Sequence, residues 1–182
     1  MKKFVIRGLI VLAVIVLVLF VGFQILKNQT KKHSPEATVE YADGDTKVSV
    51  FYCRPYKKER VIFGELVPYQ EVWRTGANEA TTFSTNRDLK FGGNTLPAGK
   101  YTLWTIPDKD DWTVIFNRKQ YPWGVNFSQK ATREPEADVL QIKVPSEKRD
   151  EVVEQFTISF TTGANPTMDL AWDQTKVSVP FE

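Results

Sequence analysis

Apolar and polar positions along this chain follow two different rules. From Gly8 to Leu26 the only strongly polar residue is Gln24, and Leu9 to Val21 is unbroken Leu, Ile, Val, Ala, Phe and their like. A helix of that length spans roughly the 30 Å hydrocarbon core of a bilayer, and it has no polar stripe to lay against water. Beyond it the period drops to two. Residues 47–52, 81–85, 100–106, 112–117, 139–144, 155–160, 168–172 and 176–179 alternate or are rich in aromatic and β-branched types. Each run is short and ends in Pro, Gly, Asn or Asp, the punctuation of antiparallel strands. Leu96-Pro97-Ala98-Gly99 enters one strand through a tight turn, and Phe91-Gly92-Gly93-Asn94 and 107–111 read as hairpin corners. No repeat is visible, nor any long amphipathic helix. The pattern predicts an all-β fold, an antiparallel β-sandwich of jelly-roll-like or Ig-like packing, preceded by one transmembrane helix.

The expected organisation is a signal anchor over residues 1–26, a polar juxtamembrane tether over 27–36 and a sandwich domain over 37–182. Lys2, Lys3 and Arg7 precede the apolar run, which favours a cytoplasmic N-terminus and an extracytoplasmic, periplasmic domain. Lys27, Lys31 and Lys32 follow it and weaken that asymmetry. After Phe20 there is no Ala-x-Ala cleavage pattern, and no cysteine precedes Cys53, so an uncleaved anchor is the reading rather than a signal peptide or lipoprotein.

One connection breaks the strand pattern. Residues 53–82 are too long and too apolar for a solvated loop, because Val61, Ile62, Phe63, Leu66, Val67, Tyr69, Val72 and Trp73 need dry surroundings. The same segment carries Arg54, Arg74, Asn78 and Glu79, polar groups that a folded connection can hold in place.

Charge and rare residues narrow the chemistry. From Ser34 onward there are 18 Lys and Arg against 22 Asp and Glu, a net charge of −4, so the overall +2 belongs to the anchor and its flanks. A mildly acidic domain is no nucleic-acid binder. The single cysteine permits no internal disulfide, and the only histidine, His33, lies in the tether. That leaves no Ser-His-Asp triad, Cys-His dyad or multi-His metal site in the domain, and no metal or other cofactor is expected. Cys53 reads as a small buried hydrophobe. Asp108, Asp110 and Asp111 lack the spacing of a calcium loop and read as a soluble hairpin tip.

Several stretches carry a family resemblance. They are Tyr52-Cys53-Arg54-Pro55, residues 60–69, Val72-Trp73-Arg74-Thr75-Gly76-Ala77-Asn78-Glu79-Ala80-Thr81, Leu96-Pro97-Ala98-Gly99, residues 105–107 and 112–117, Trp123-Gly124 and Val177-Ser178-Val179-Pro180. Together they resemble the bacterial family called domain of unknown function 2911, over essentially all of the chain after the tether. The resemblance implies an exported or envelope protein with a β-rich domain, and it brings no activity. Cys53 stands where many members carry Ser, and the anchor where others have a cleavable signal.

The candidate site is therefore Arg54, Arg74, Asn78 and Glu79, with Trp123 as a stacking wall because it sits in the turn Tyr121-Pro122-Trp123-Gly124. Trp104 and Trp112 lie in strands and are expected in the core. Arg74 and Glu79 flank a tight turn and are expected either to pair with each other or to hold an anionic or hydroxyl-rich ligand. No catalytic residue is assigned. Three readings follow: binding of a small molecule, glycan or envelope protein through 53–82; a hydrolase pairing Glu79 with Glu65, Glu71 or Asp111; or an assembly role in the envelope.

Overall fold

The computed structural model describes residues 2–182, which fall into two units divided between His33 and Ser34. The first is a helix, α1, Lys2–His33. Its stretch Ile6–His33 contains an 18-residue window with a mean hydropathy of 3.2, long and apolar enough to cross a membrane. Residues 27–33, expected as a tether, form its last two turns. Nothing in Lys-Asn-Gln-Thr-Lys-Lys-His breaks a helix before Pro35, and Lys31, Lys32 and His33 favour the negative end of the helix dipole.

The second unit is antiparallel β, as the period of two predicts. Its strands are β1 Glu36–Asp43, β2 Thr46–Cys53, β3 Thr82–Thr85, β4 Leu89–Phe91, β5 Asn94–Leu96, β6 Gly99–Pro107, β7 Asp111–Asn117, β8 Asp138–Phe160 and β9 Thr167–Pro180. Seven of them form one sheet in the order β1-β2-β3-β6-β7-β8-β9, with β4 and β5 as a separate hairpin. Apart from the β4–β5 hairpin inserted between β3 and β6, neighbours in the sheet are neighbours in the chain, a meander that curls until its ends face each other. β8 makes the curl possible. Its first third pairs with β7 from Asn117↔Asp138 to Asp111↔Pro145, and the rest pairs with β9 from Ser146↔Val177 to Phe160↔Met168. Two register shifts between Lys148 and Thr157 bend it. One strand therefore serves both layers.

Aromatic side chains fill the space inside the curl. Tyr41 of β1 meets Phe160 and Phe181 at 5.7 and 5.1 Å, and Tyr52 of β2 meets Phe156 at 5.7 Å. Phe91 of the β4–β5 hairpin reaches Phe116 at 5.0 Å, and the hairpin bonds to the chain end through Lys90 and Glu182. Gly92 and Gly93, at φ +54° and +86°, form the turn of the hairpin corner that the sequence predicted. Each such ring contributes about 2–3 kcal/mol by leaving water.

The connection 54–81 caps one end of this core rather than wandering over it. Ile62 and Val67 are buried, and Trp73 lies among Phe63, Trp112, Phe156 and Trp172, all within 6.2 Å. Trp112 and Trp172 offer indole N–H groups with no hydrogen-bond partner among the described residues. Edge-to-face contacts with Phe63 at 4.9 and 6.2 Å are the compensation at hand. Of the apolar residues expected to be dry, Val61 and Leu66 are exposed. The bend between them only needs Ile62 and Val67 inward, and it closes on Leu66 N–H to Val61 and Val67 N–H to Ile62.

Strand alternation turns a second set of residues to the other face of the sheet, among them Phe51 and Cys53 of β2, Thr82 of β3 and Trp104 of β6. Parts of 71–81 and 118–134 cover it. The cover is pinned by Asn117, whose Nδ2 donates to the Glu134 carbonyl and to Asp138 Oδ1 at 2.9 and 2.8 Å. Asn117 Oδ1 accepts from Lys119 N–H at 2.9 Å, and Arg133 grips Asp138 with a two-pronged fork.

Candidate functional site

The outer face carries Arg74, Asn78 and Glu79 of the 53–82 connection. The β1–β2 hairpin turns at Gly44 and Asp45, which sets Glu36 directly across from Cys53. Residues 75–81 then fold over that pair. Thr75 and Asn78 both sit at positive φ, and Gly76 lies so close to Cys53 that only a hydrogen fits on its Cα. Thr81 Oγ1 donates to the Thr75 carbonyl at 2.7 Å, and the Trp73 indole N–H donates to the Gly76 carbonyl at 3.0 Å. The loop is thereby locked from both sides.

Glu79 emerges from this loop beside Cys53, whose thiol donates to Glu79 Oε2 at 3.3 Å. Burial pushes the Cys53 thiol up to about 12, with the Glu79 hydrogen bond and charge acting the same way. A thiol held so firmly as S–H is a poor nucleophile. One oxygen of Glu36, one of Glu79 and the Cys53 sulfur all lie within 4.8 Å of one another. These three atoms are the set that could hold a cation, but a cation there would have to displace the thiol proton beside a positively charged neighbour.

That neighbour is Arg74. Burial draws its pKa down from the ordinary arginine value, against the opposing pull of Cys53 and Glu79. Its Nη1 donates to the Trp123 carbonyl at 3.2 Å rather than closing the expected bidentate pair with Glu79, whose charge acts on it through space. The cover packs tightly on this arginine: a Cβ at Gly124 would stand 3.2 Å from both Arg74 Cβ and Ala80 Cβ. Arg74→Ala is expected to destabilise the domain by about 2 kcal/mol, since a half-buried carbonyl loses its charged donor and the packing of the long side chain under the cover is lost. Chemical denaturation checks this, and a change under about 0.5 kcal/mol would show that the contact is idle.

The structure separates the other candidates. Arg54 reaches across to β8, donating from Nε to the Phe156 carbonyl at 3.2 Å and from Nη2 to Thr157 Oγ1 at 2.8 Å. It is a staple between layers. Asn78 is buried and donates from Nδ2 to the Ser34 carbonyl at 3.3 Å, fixing the start of the domain. Trp123 is half-buried and contributes its carbonyl. Asp111 pairs with Lys143 at 2.9 Å, while Glu65 and Glu71 are exposed on the loop. The carboxylate brought to Glu79 is Glu36, which the strand pattern alone did not single out.

Beside Glu79 the outer face opens into a depression of about 370 Å³, lined by Phe51, Glu79, Ala80, Thr82, Lys100, Gln120, Tyr121 and Pro122. Of the five sequence candidates, Glu79 alone reaches it. Phe51, Ala80, Pro122 and the Tyr121 ring supply apolar wall, while Glu79, Thr82, Lys100 and Gln120 supply polar groups. Tyr121 is held upright: its oxygen accepts from Glu134 N–H at 3.0 Å, and its ring meets Trp104 edge-on at 5.2 Å. Gln120 Nε2 donates to the Lys100 backbone carbonyl at 3.2 Å, which ties its amide to β6.

A family model described as protein of unknown function (DUF2911) matches residues 34–181. No curated protein and no solved structure matches the chain.

Proposed function

Since the chain belongs to the family of proteins of unknown function (DUF2911) over residues 34–181, a family whose description brings no reaction with it, we propose a function from the geometry: a membrane-anchored, extracytoplasmic, non-catalytic domain that binds a small hydroxyl-rich ligand of the glycan kind beside Glu79. The observation that carries this reading is the make-up of the depression. Its volume of about 370 Å³ is that of a small-ligand site, and it combines an aromatic ring and apolar wall with a few polar groups. A sugar offers both an apolar C–H face for such a ring and hydroxyls for Glu79, Gln120 and Lys100. An open site suits a ligand that stays partly hydrated. The α1 helix supplies the anchor, and Lys2, Lys3 and Arg7 before it favour placing the domain outside the cytoplasm.

Glu79 serves here as an acceptor. The hydrolase alternative draws on its approach to Glu36, because two carboxylates about 5 Å apart can serve glycoside hydrolysis. The Cys53 sulfur lies within 4.8 Å of both carboxylate oxygens, however, and takes up room beside them that a sugar would need.

The test is calorimetric titration of the full chain in nanodiscs with a panel of neutral and amino-sugar oligosaccharides. Lys100→Ala and Gln120→Ala lie at exposed positions. Each should weaken binding by roughly 5- to 10-fold without moving the unfolding midpoint. No heat from any saccharide, or equal affinity in both variants, would refute the site. New reducing ends that vanish in Glu36→Gln would favour the hydrolase instead.

A further inference from the structure

We propose that the tip of the hairpin around Phe127 inserts into the surface of a lipid bilayer; this rests on the membrane-anchor reading of α1. Phe127 is the most exposed large apolar residue of the domain, with its whole side chain outside at 108% of the reference exposure. The other exposed apolar residues of the domain (Val61, Leu66 and Val152) keep only about half of theirs.

The tip is built, not slack. Val125 bridges Ala131, and Asn126 N–H donates to the Lys130 carbonyl at 2.9 Å. Asn126 Oδ1 then accepts from Ser128 N–H and Lys130 N–H at 2.9 and 3.1 Å, while Gln129 takes φ +60° and donates its N–H to the Asn126 carbonyl. An asparagine that bonds its own turn in this way organises the loop around one outward residue. Ordering cost is already met, so whatever buries the ring gains its full transfer energy.

The chemistry of the tip selects a bilayer over a protein. One phenylalanine is far smaller than the apolar patch that marks a protein interface. Burying it is worth a factor of about ten to a hundred in an equilibrium constant, too little for a free partner at ordinary concentration. A membrane to which the chain is covalently joined is different, because the encounter is intramolecular and a small gain suffices. Asn126, Ser128, Gln129 and Lys130 surround the ring with polar groups and one cation but no acid, which suits the glycerol and phosphate level of a lipid headgroup layer.

The experiment uses the full chain in nanodiscs that contain lipid carrying a nitroxide on its acyl chain. An environment-sensitive fluorophore is placed next to Phe127 through Ser128→Cys, with Phe127 intact; Cys53 is fully buried and should not compete for the label. A label at Lys109→Cys, on the exposed 108–110 turn, serves as the comparison. Insertion predicts a blue-shifted emission and about twofold quenching at 128, both abolished by Phe127→Asp and both absent at 109. Incorporation into nanodiscs without quenching at 128 overturns the insertion and leaves the anchor standing. Failure of the chain to enter nanodiscs overturns the anchor and the insertion with it. Quenching that persists in Phe127→Asp, or that is equal at 109, also overturns the proposal.

Discussion

Trp73→Ala is expected to cost about 4 kcal/mol of stability and to lower the unfolding midpoint by roughly 10 °C, read by scanning calorimetry on the full chain in micelles. Trp73 lies near the middle of the cap over the open end of the curl. Its ring stacks on Trp172 at 6.0 Å and meets Phe63, Trp112 and Phe156 between 5.0 and 6.2 Å. Its backbone exchanges both hydrogen bonds with Thr105, at 2.7 and 3.0 Å, so the cavity left by truncation cannot close by moving the chain. The indole N–H also holds the Gly76 carbonyl. Trp73→Phe should recover most of the packing and still lose that bond, costing about 1–2 kcal/mol. A midpoint within about 2 °C of the parent for Trp73→Ala would mean that 54–81 is an appendage rather than part of the core.

Gly76→Ala should be nearly as damaging, for a different reason. A Cβ at this position would stand 2.9 Å from the Cys53 carbonyl oxygen and 3.2 Å from Thr81 Oγ1, and φ is +150°. The oxygen is backbone at the end of β2, directly opposite Glu36 in the register, and it cannot swing aside. Clash and conformational strain together cost about 3 kcal/mol. Gly92→Ala supplies the comparison, because φ is again positive but no atom lies within 4 Å of its Cβ. There the cost should be near 1 kcal/mol, the conformational part alone. Equal effects at the two positions, measured by denaturant titration, would show that the close approach to Cys53 is not what holds residues 75–81 down.

The strands were legible because each carries its own period of two, and the hairpins at 92–93 and 107–111 because glycine and aspartate announce turns locally. The curl was less so. It depends on β8 continuing for 23 residues through 146–154, a polar stretch whose strand character comes from β9 on its flank rather than from its own side chains. The end of α1 was also misplaced: Lys-Asn-Gln-Thr is a polar stretch with no helix breaker, and polarity by itself does not end a helix. At the site, polarity and turn chemistry pointed to the right loop but not to the partners. Arg54 and Asn78 are polar because they fasten backbone carbonyls, and a lone sequence does not distinguish a fastening role from a binding one. Glu36 was within reach of sequence reasoning. A turn centred on Gly44 and Asp45 pairs position 36 with position 53. Tyr121, Lys100 and Gln120 come together only after β6 and the 118–134 cover have packed, a relation no local pattern carries.

The reach of residues 52–57 across to β8 has a consequence for how the chain is made. Tyr52 accepts from the Ile158 amide and Arg54 binds Thr157, each across more than a hundred residues of chain. Synthesis at about 5–20 residues per second puts on the order of ten seconds between these partners. During that interval β1 to β3 and the ring of Trp73 exist without the layer that hides them. The nascent domain therefore has a sticky period whose length is set by translation speed. A chain halted before the far half of β8 emerges keeps the first layer but lacks the surface that covers it.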